Sequence, residues 1–250
     1  MTNPATLFKP DKSKLGTLIA GTSGSGKTTA VVSMLRNAYF DPKFGEFHRF
    51  IIIDPKVQVG DYDLLVDPVN DINSTLKSIE ENRMTLYWPD YPEFDQKTLD
   101  SDVGEIVNFL FNLHSSNPKM TATVVLDEAS ILISPNQISQ SLKRLTVQGR
   151  AKGILPVYIS QRPLTNRWID ANISRVILFK MLPVDTDNLT KRWGVDFTKV
   201  SDRLTEKPFS WVIFDLGKVT TRMMNPVHLP QRIKREKKSF WKSVVDSFWR

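Results

Sequence analysis

The chain has 250 residues, 40% of them hydrophobic and 24% charged, with a formal net charge of +7; this is enough for one substantial ordered domain, with or without an appended tail. It contains no cysteine, which excludes disulfides, thiolate metal sites and cysteine nucleophiles. No apolar run approaches the roughly 18 residues of a spanning helix, and the opening "MTNPATLFKPDKSK" lacks an apolar signal segment, so the expected setting is cytoplasmic.

A polar lead (residues 1–14) gives way to "LGTLIAG" (15–21), a short buried strand. Glycines follow, then "KTTAVVSMLRNA", where Val31, Val32, Leu35 and Ala38 recur at helical spacing. "FIIID" (50–54) is short and β-branched, hence a strand. Residues 70–83 are helix-like and "TLYWP" reads as another strand. Residues 100–113 form an amphipathic helix, with Val103, Ile106, Val107, Leu110 and Leu113 on one face. "TATVVLDEA" predicts a strand, residues 137–148 a helix, "ILPVYIS" a strand, residues 166–171 a short helix and "RVILFK" a strand. "FSWVIFDLG" and "KVTTRMM" can pair as a hairpin across Gly217. Apolar strands alternating with helices call for an α/β fold with a mostly parallel central sheet flanked by helices.

Within this frame "GTSGSGKT" (21–28) matches G-x-x-x-x-G-K-[ST] between a predicted strand and a predicted helix. The candidate phosphate cradle is Gly21, Thr22, Ser23, Gly24, Ser25, Gly26, Lys27, Thr28 and Thr29. Its glycines let backbone amides converge on phosphate oxygens at a helix N-terminus. Lys27 would reach the β- and γ-phosphates, and the Thr28 hydroxyl would ligate Mg²⁺. "TVVLDEAS" (123–130) ends an apolar strand in Asp127 and Glu128. Taken alone this pair reads equally as a solvated turn or helix cap. Beside a phosphate loop, Asp127 is placed to hold Mg²⁺ and Glu128 to orient or deprotonate the attacking water. That glutamate favours hydrolysis over transfer to a second substrate.

"RAKGILPVYISQRP" (150–163) carries a buried strand that ends in polar groups. Ligands of open α/β sheets bind at carboxyl ends of strands. If this strand lies beside that of Asp127, Gln161 reaches the γ-phosphate; otherwise it caps the turn before Pro163. Arg162 is read either as a local ion-pair partner or as a contact to a neighbouring subunit.

The same stretch resembles, without a gap, the segment of FtsK/HerA-type ATPases that runs from an arginine to a sensor glutamine. "ANISRVILFK" (171–180) is similar to that family's next strand, and "FIIIDPK" (50–56) to its second. With both nucleotide motifs the resemblance covers residues 15–180. It implies a three-layer P-loop NTPase of RecA-like (ASCE) type that binds ATP and Mg²⁺. It further implies a ring, usually a hexamer, that drives double-stranded DNA through its pore. Arg150 matches the family arginine that completes a neighbour's site in trans; its other reading is a surface arginine at a helix end. Within these 250 residues no membrane-spanning region or winged-helix DNA reader of the cellular members is recognisable, and the expected likeness is to genome-packaging ATPases of double-stranded DNA viruses with internal membranes. Host cytoplasm and virion are then the expected locations. Two rivals remain: a conjugation or filamentous-phage export ATPase, and a nucleotide-gated assembly or membrane-docking protein with incidental hydrolysis.

The expected organisation is a lead (1–14), an ATPase domain (15–230) and a basic amphipathic tail (231–250). The tail holds seven Lys/Arg against Glu236 and Asp246, so most of the net charge sits there. In "SFWKSVVDSFWR" the aromatic and Val residues cover about half of a helix circumference. It reads as a lipid-surface helix, a capsid-vertex plug, or a terminal helix packed on its own domain or the next subunit. "YWPDYPEF" (87–94) reads as a hydrophobic cluster or a base-stacking loop, and Lys143, Arg144 and Lys152 as a solvated face or pore contacts. His48, His114 and His228 are well separated and read as ordinary core or surface residues.

Overall fold

The computed structural model describes residues 7–10, 16–90, 95–164, 166–194, 196–216 and 220–228. Alternation along the strands sorts their side chains onto two faces. In β1 (Gly16–Ala20) Leu18 and Ala20 point to one core, while Ile19 points to the other. Ile51 and Ile53 oppose Phe50 and Ile52 in β2 (His48–Ile53). Val124 and Leu126 oppose Val125 in β5 (Thr121–Leu126), and Tyr158 opposes Val157 and Ile159 in β6 (Ile154–Ser160). Burial on both faces explains why these runs are continuously apolar.

The remaining strands are β3 (Pro68–Val69), β4 (Met84–Tyr87), β7 (Ile173–Leu178), β8 (Trp211–Asp215) and β9 (Thr220–Met224). The sheet order is β3-β4-β2-β5-β6-β1-β7-β8-β9. From β3 to β7 every pairing is parallel; β8 and β9 add an antiparallel hairpin at one edge. The hairpin matches expectation, while its turn at Gly217 and the tail lie outside the described residues. Thus β6 lies between β1 and β5, so the strand ending in Ser160 reaches the same edge as those ending in Ala20 and Leu126.

One face is covered by α1 (Lys27–Phe40), together with Leu7, Phe8, Tyr62 and Leu65. Leu7 and Phe8 are buried although the lead reads as polar in sequence. Their carbonyls accept hydrogen bonds from Arg175 Nη1 (2.9 Å) and Thr123 Oγ1 (2.5 Å), which ties this segment to β7 and β5. The other face is covered by α2 (Ile72–Glu81), α3 (Gln96–Ser116), α4 (Gln140–Gln148), α5 (Arg167–Ala171), α6 (Pro183–Trp193) and α7 (Thr198–Glu206). The Asp95 carboxylate accepts from the Lys97 and Thr98 amides, and this cap starts α3 a turn earlier than its apolar stripe predicts.

Neither α6 nor α7 was expected. Each offers few apolar residues to the core, chiefly Leu189 in α6 and Leu204 in α7. The punctuation of α6 is nevertheless regular: Pro183 opens it and Gly194, at φ +67°, ends it. Among the described residues no helix is long and apolar enough to cross a membrane.

Candidate active site

The four parallel strands β1, β6, β5 and β2 end at one edge, and the residues that follow them converge there. After β1 the chain turns through the glycine loop. Gly24 and Gly26 adopt φ +71° and +92°, left-handed values that favour glycine. A methyl on Gly21 would sit 2.6 Å from Phe179 Cβ and 2.9 Å from Ser25 Oγ, so that position has no room for a side chain. The loop is clamped to the residue after Phe179: the Thr22 amide and hydroxyl donate to the Lys180 carbonyl at 2.8 and 3.2 Å.

The loop feeds directly into α1, whose N-cap Gly26 supplies no side-chain cap. Ser25 Oγ is buried without a hydrogen-bond partner. Unpaired donors at a helix N-terminus form an anion site. The Lys27 ammonium folds back onto the loop, donating to the Gly21 carbonyl (2.6 Å) and the Thr22 carbonyl (2.9 Å). Burial pushes its pKa down, while the charges of Glu128 and Asp127 push it back up.

Asp127 and Glu128 follow β5 and are both buried. Asp127 Oδ1 accepts from the Glu128 amide (2.8 Å) and Oδ2 from the Tyr62 hydroxyl (3.0 Å). Burial raises the Asp127 pKa, and these two hydrogen bonds oppose the rise. Glu128 adopts φ +46°, unusual for a residue with a side chain. Its Oε1 is held by an ion pair with Lys56 and by Gln161 Nε2 at 3.1 Å. A third carboxylate, Asp54, follows β2, accepts from Trp88 Nε1 (3.1 Å) and has its pKa raised to about 6 by burial and by Asp127.

The open cleft here has a volume of about 380 Å³. Ser23, Gly24, Lys27, Thr28 and Thr29 form its floor, with Asp127, Glu128 and Gln161 facing them. Arg150 is not brought to this cavity. It is exposed in a 3₁₀ turn (Gly149–Lys152) before β6, at the strand's opposite end from Gln161. Six strand steps separate those ends by about 20 Å. Arg162 pairs locally, its Nε 3.4 Å from Asp185 Oδ1 in the first turn of α6.

Lys56, Tyr62 and Phe209 belong to the site but carry no functional reading from the sequence. Lys56 has a signal in the resemblance of "FIIIDPK" to a family strand, and that strand, β2, lies beside β5. Tyr62 had none: it meets Asp127 across 65 residues of chain. Tyr87 and Trp88 are spent internally, on Asp102 and Asp54, which fits the cluster reading of that loop; residues 91–94 lie outside the described residues. Lys143 stacks on Trp168 (3.8 Å to the ring centre), and Arg144 bonds Asn108 and covers Phe111.

No family model matches the chain. It is 28% identical over 184 residues to the DNA translocase SftA of Bacillus subtilis, covering 66% of this chain and 18% of that protein. It is 28% identical over 221 residues to DNA translocase FtsK 1 of Neisseria meningitidis, covering 77% of this chain and 27% of that protein. The chain therefore spans only about a fifth to a quarter of these relatives' length. Its structure superposes on the genome packaging NTPase B204 of Sulfolobus turreted icosahedral virus 2, in complex with ATP-gammaS, with a TM-score of 0.63. That match has 14% identity and covers 86% of this chain and 98% of B204. In fold, in the order of its motifs and in sequence likeness, the chain resembles the P-loop ATPases of the FtsK/HerA type.

Proposed function

We propose that the chain hydrolyses ATP to move double-stranded DNA, working as a ring of its own copies, with a viral genome entering a capsid as the cargo. The observation that carries the reading is the placement of β6, which sets Gln161 3.1 Å from Glu128 above the glycine loop. Sequence likeness to two DNA translocases supports the DNA cargo. The match over 98% of the B204 chain supports packaging.

The residues present fit a nucleoside triphosphate. Unpaired donors at the start of α1, a lysine already seated in the loop and an opposed carboxylate pair all face one cavity. They also fit Mg²⁺, since Thr28 and Asp127 supply hard oxygen donors to that cavity. Among the described residues no three metal-ligating side chains cluster. The ion would therefore keep water and phosphate oxygens in its shell, as Mg²⁺ ordinarily does. Bound there, Mg²⁺ neutralises charge on the β- and γ-phosphates.

In this reading Lys27 leaves the loop carbonyls for the phosphate oxygens. Glu128 orients the attacking water and takes its proton, and Gln161 exchanges its bond to Glu128 for the γ-phosphate. Arg150 is too far from its own cavity to act in it and serves the neighbouring copy. The tail (231–250), which contacts a capsid vertex or a membrane surface in this reading, lies outside the described residues.

The test is the steady-state ATPase rate with and without duplex DNA, alongside the mass in solution. Stimulation by duplex DNA in an assembly of several chains is expected. A rate indifferent to DNA but raised by anionic vesicles would replace the motor with a membrane-docking protein.

A further inference from the structure

The turn before β8 holds a side chain that folding does not account for. The Ser210 amide (3.2 Å) and hydroxyl (2.5 Å) both donate to the Lys207 carbonyl, closing a four-residue turn with Pro208 second and Phe209 third. Phe209 adopts φ +61°. Glycine or asparagine ordinarily occupies the third position of a turn with positive φ there. The ring gains little from burial in exchange, for it is 57% exposed while Ser210 and Trp211 beside it are buried. A strained backbone carrying an exposed ring disfavours the isolated fold on both counts.

The ring's position shows what it is suited to meet. A methyl on Gly26 would lie 3.4 Å from Phe209 Cδ1, so the ring stands against the glycine loop, where it lines the cavity with Val227. The hydrolytic groups Glu128 and Gln161 follow β5 and β6, on one side of β1 in the sheet order; β7 and β8 lie on the other. A triphosphate whose γ end meets Glu128 and Gln161 must extend its sugar and base towards the β8 side. There the exposed ring is the large apolar surface that the cavity offers.

We propose that Phe209 is the platform on which the base of the bound nucleotide stacks. This rests on the reading of the cavity as the ATP site and adds a base subsite to it. Every nucleobase presents a π-face, so such a platform gives affinity with little choice between bases. The wild-type protein should therefore bind GTP nearly as well as ATP at this contact.

The experiment compares equilibrium binding of MgATP and of magnesium tripolyphosphate, which has no base, to wild type, Phe209→Gly and Phe209→Trp. Glycine suits the positive φ, so Phe209→Gly should fold at least as well as wild type, which thermal melting checks. We expect Phe209→Gly to weaken ATP binding about tenfold or more, to leave tripolyphosphate binding unchanged, and Phe209→Trp to retain ATP. Unchanged ATP affinity in Phe209→Gly would overturn the platform, as would equal losses for ATP and tripolyphosphate, which would make Phe209 a brace for the loop. A wild type that binds neither ligand would overturn the ATP site itself, and the platform with it.

Discussion

Lowering the pH from 7 to 4.5 loads a proton onto unfolded His48 long before it loads one onto the folded residue. His48 is fully buried at the start of β2, in a three-ring cluster with Phe44 and Phe50. Burial, reinforced by the charges of Arg83, Arg49 and Lys9, lowers its pKa from 6.5 to about 3. The hydrogen bonds agree with a neutral ring. Thr123 spends its hydroxyl proton on the Phe8 carbonyl, so His48 Nε2 donates to Thr123 (3.1 Å) and Nδ1 accepts from Thr121 (2.8 Å).

The unfolded chain therefore binds the extra proton between pH 6.5 and 3, and stability falls as pH falls through that window. With about 1.36 kcal/mol per pH unit, the loss from pH 7 to 4.5 is about 2.5 kcal/mol. Asp54 works oppositely, because its raised pKa of about 6 makes the folded state the better proton binder between pH 3.8 and 6. The wild-type curve is consequently shallow there, and the difference from His48→Gln carries the signal. Urea unfolding of both proteins at pH 7 and pH 4.5 should show wild type losing about 2.5 kcal/mol more than the variant. Parallel losses would refute the buried neutral histidine. The seam at risk joins β2 to β5, the strands that present Asp54 and Asp127.

Glu128→Gln should bind ATP and lower turnover about a hundredfold or more, visible as nucleotide retained on the protein; turnover at the parental rate would remove Glu128 from the chemistry. Arg150→Ala, at an exposed turn, should fold and bind ATP normally yet lose turnover, and mixing it with Glu128→Gln should restore part of the rate if the arginine serves a neighbour. Gly21→Ala pushes a methyl to 2.6 Å from Phe179 Cβ; overpacking of this kind costs about 1–3 kcal/mol, so melting should fall by several degrees.

How far the sequence reaches depends on how far apart the partners lie along it. The glycine loop is contiguous and its shape follows from local backbone geometry, so the strand–loop–helix turn at residues 21–28 is legible in the sequence. Asp127, Glu128 and Gln161 sit at the ends of apolar strands, and a parallel sheet must bring such ends to one edge. Tyr62 opens a short 3₁₀ turn and Phe209 stands in the turn before β8, both of ordinary composition. Their relevance comes from contacts with Asp127 and Gly26 far away in the chain, which no local pattern encodes. Likewise α6 and α7 escaped because helices that lie shallowly on the core need few apolar residues, leaving the spacing signal weak.

Strand β6 is flanked by β5, which pairs with Ile154–Tyr158, and by β1, which pairs with Val157–Ser160, and all seven of its residues are buried. Such a strand behaves as a stiff rod through the middle of the molecule. One tip carries the amide that would feel a phosphate leave; the other adjoins the turn offering Arg150 to the outside. Any shift at the first tip would be transmitted to the second with little damping, so that in the proposed ring news of one spent nucleotide would reach the next copy without a hinge.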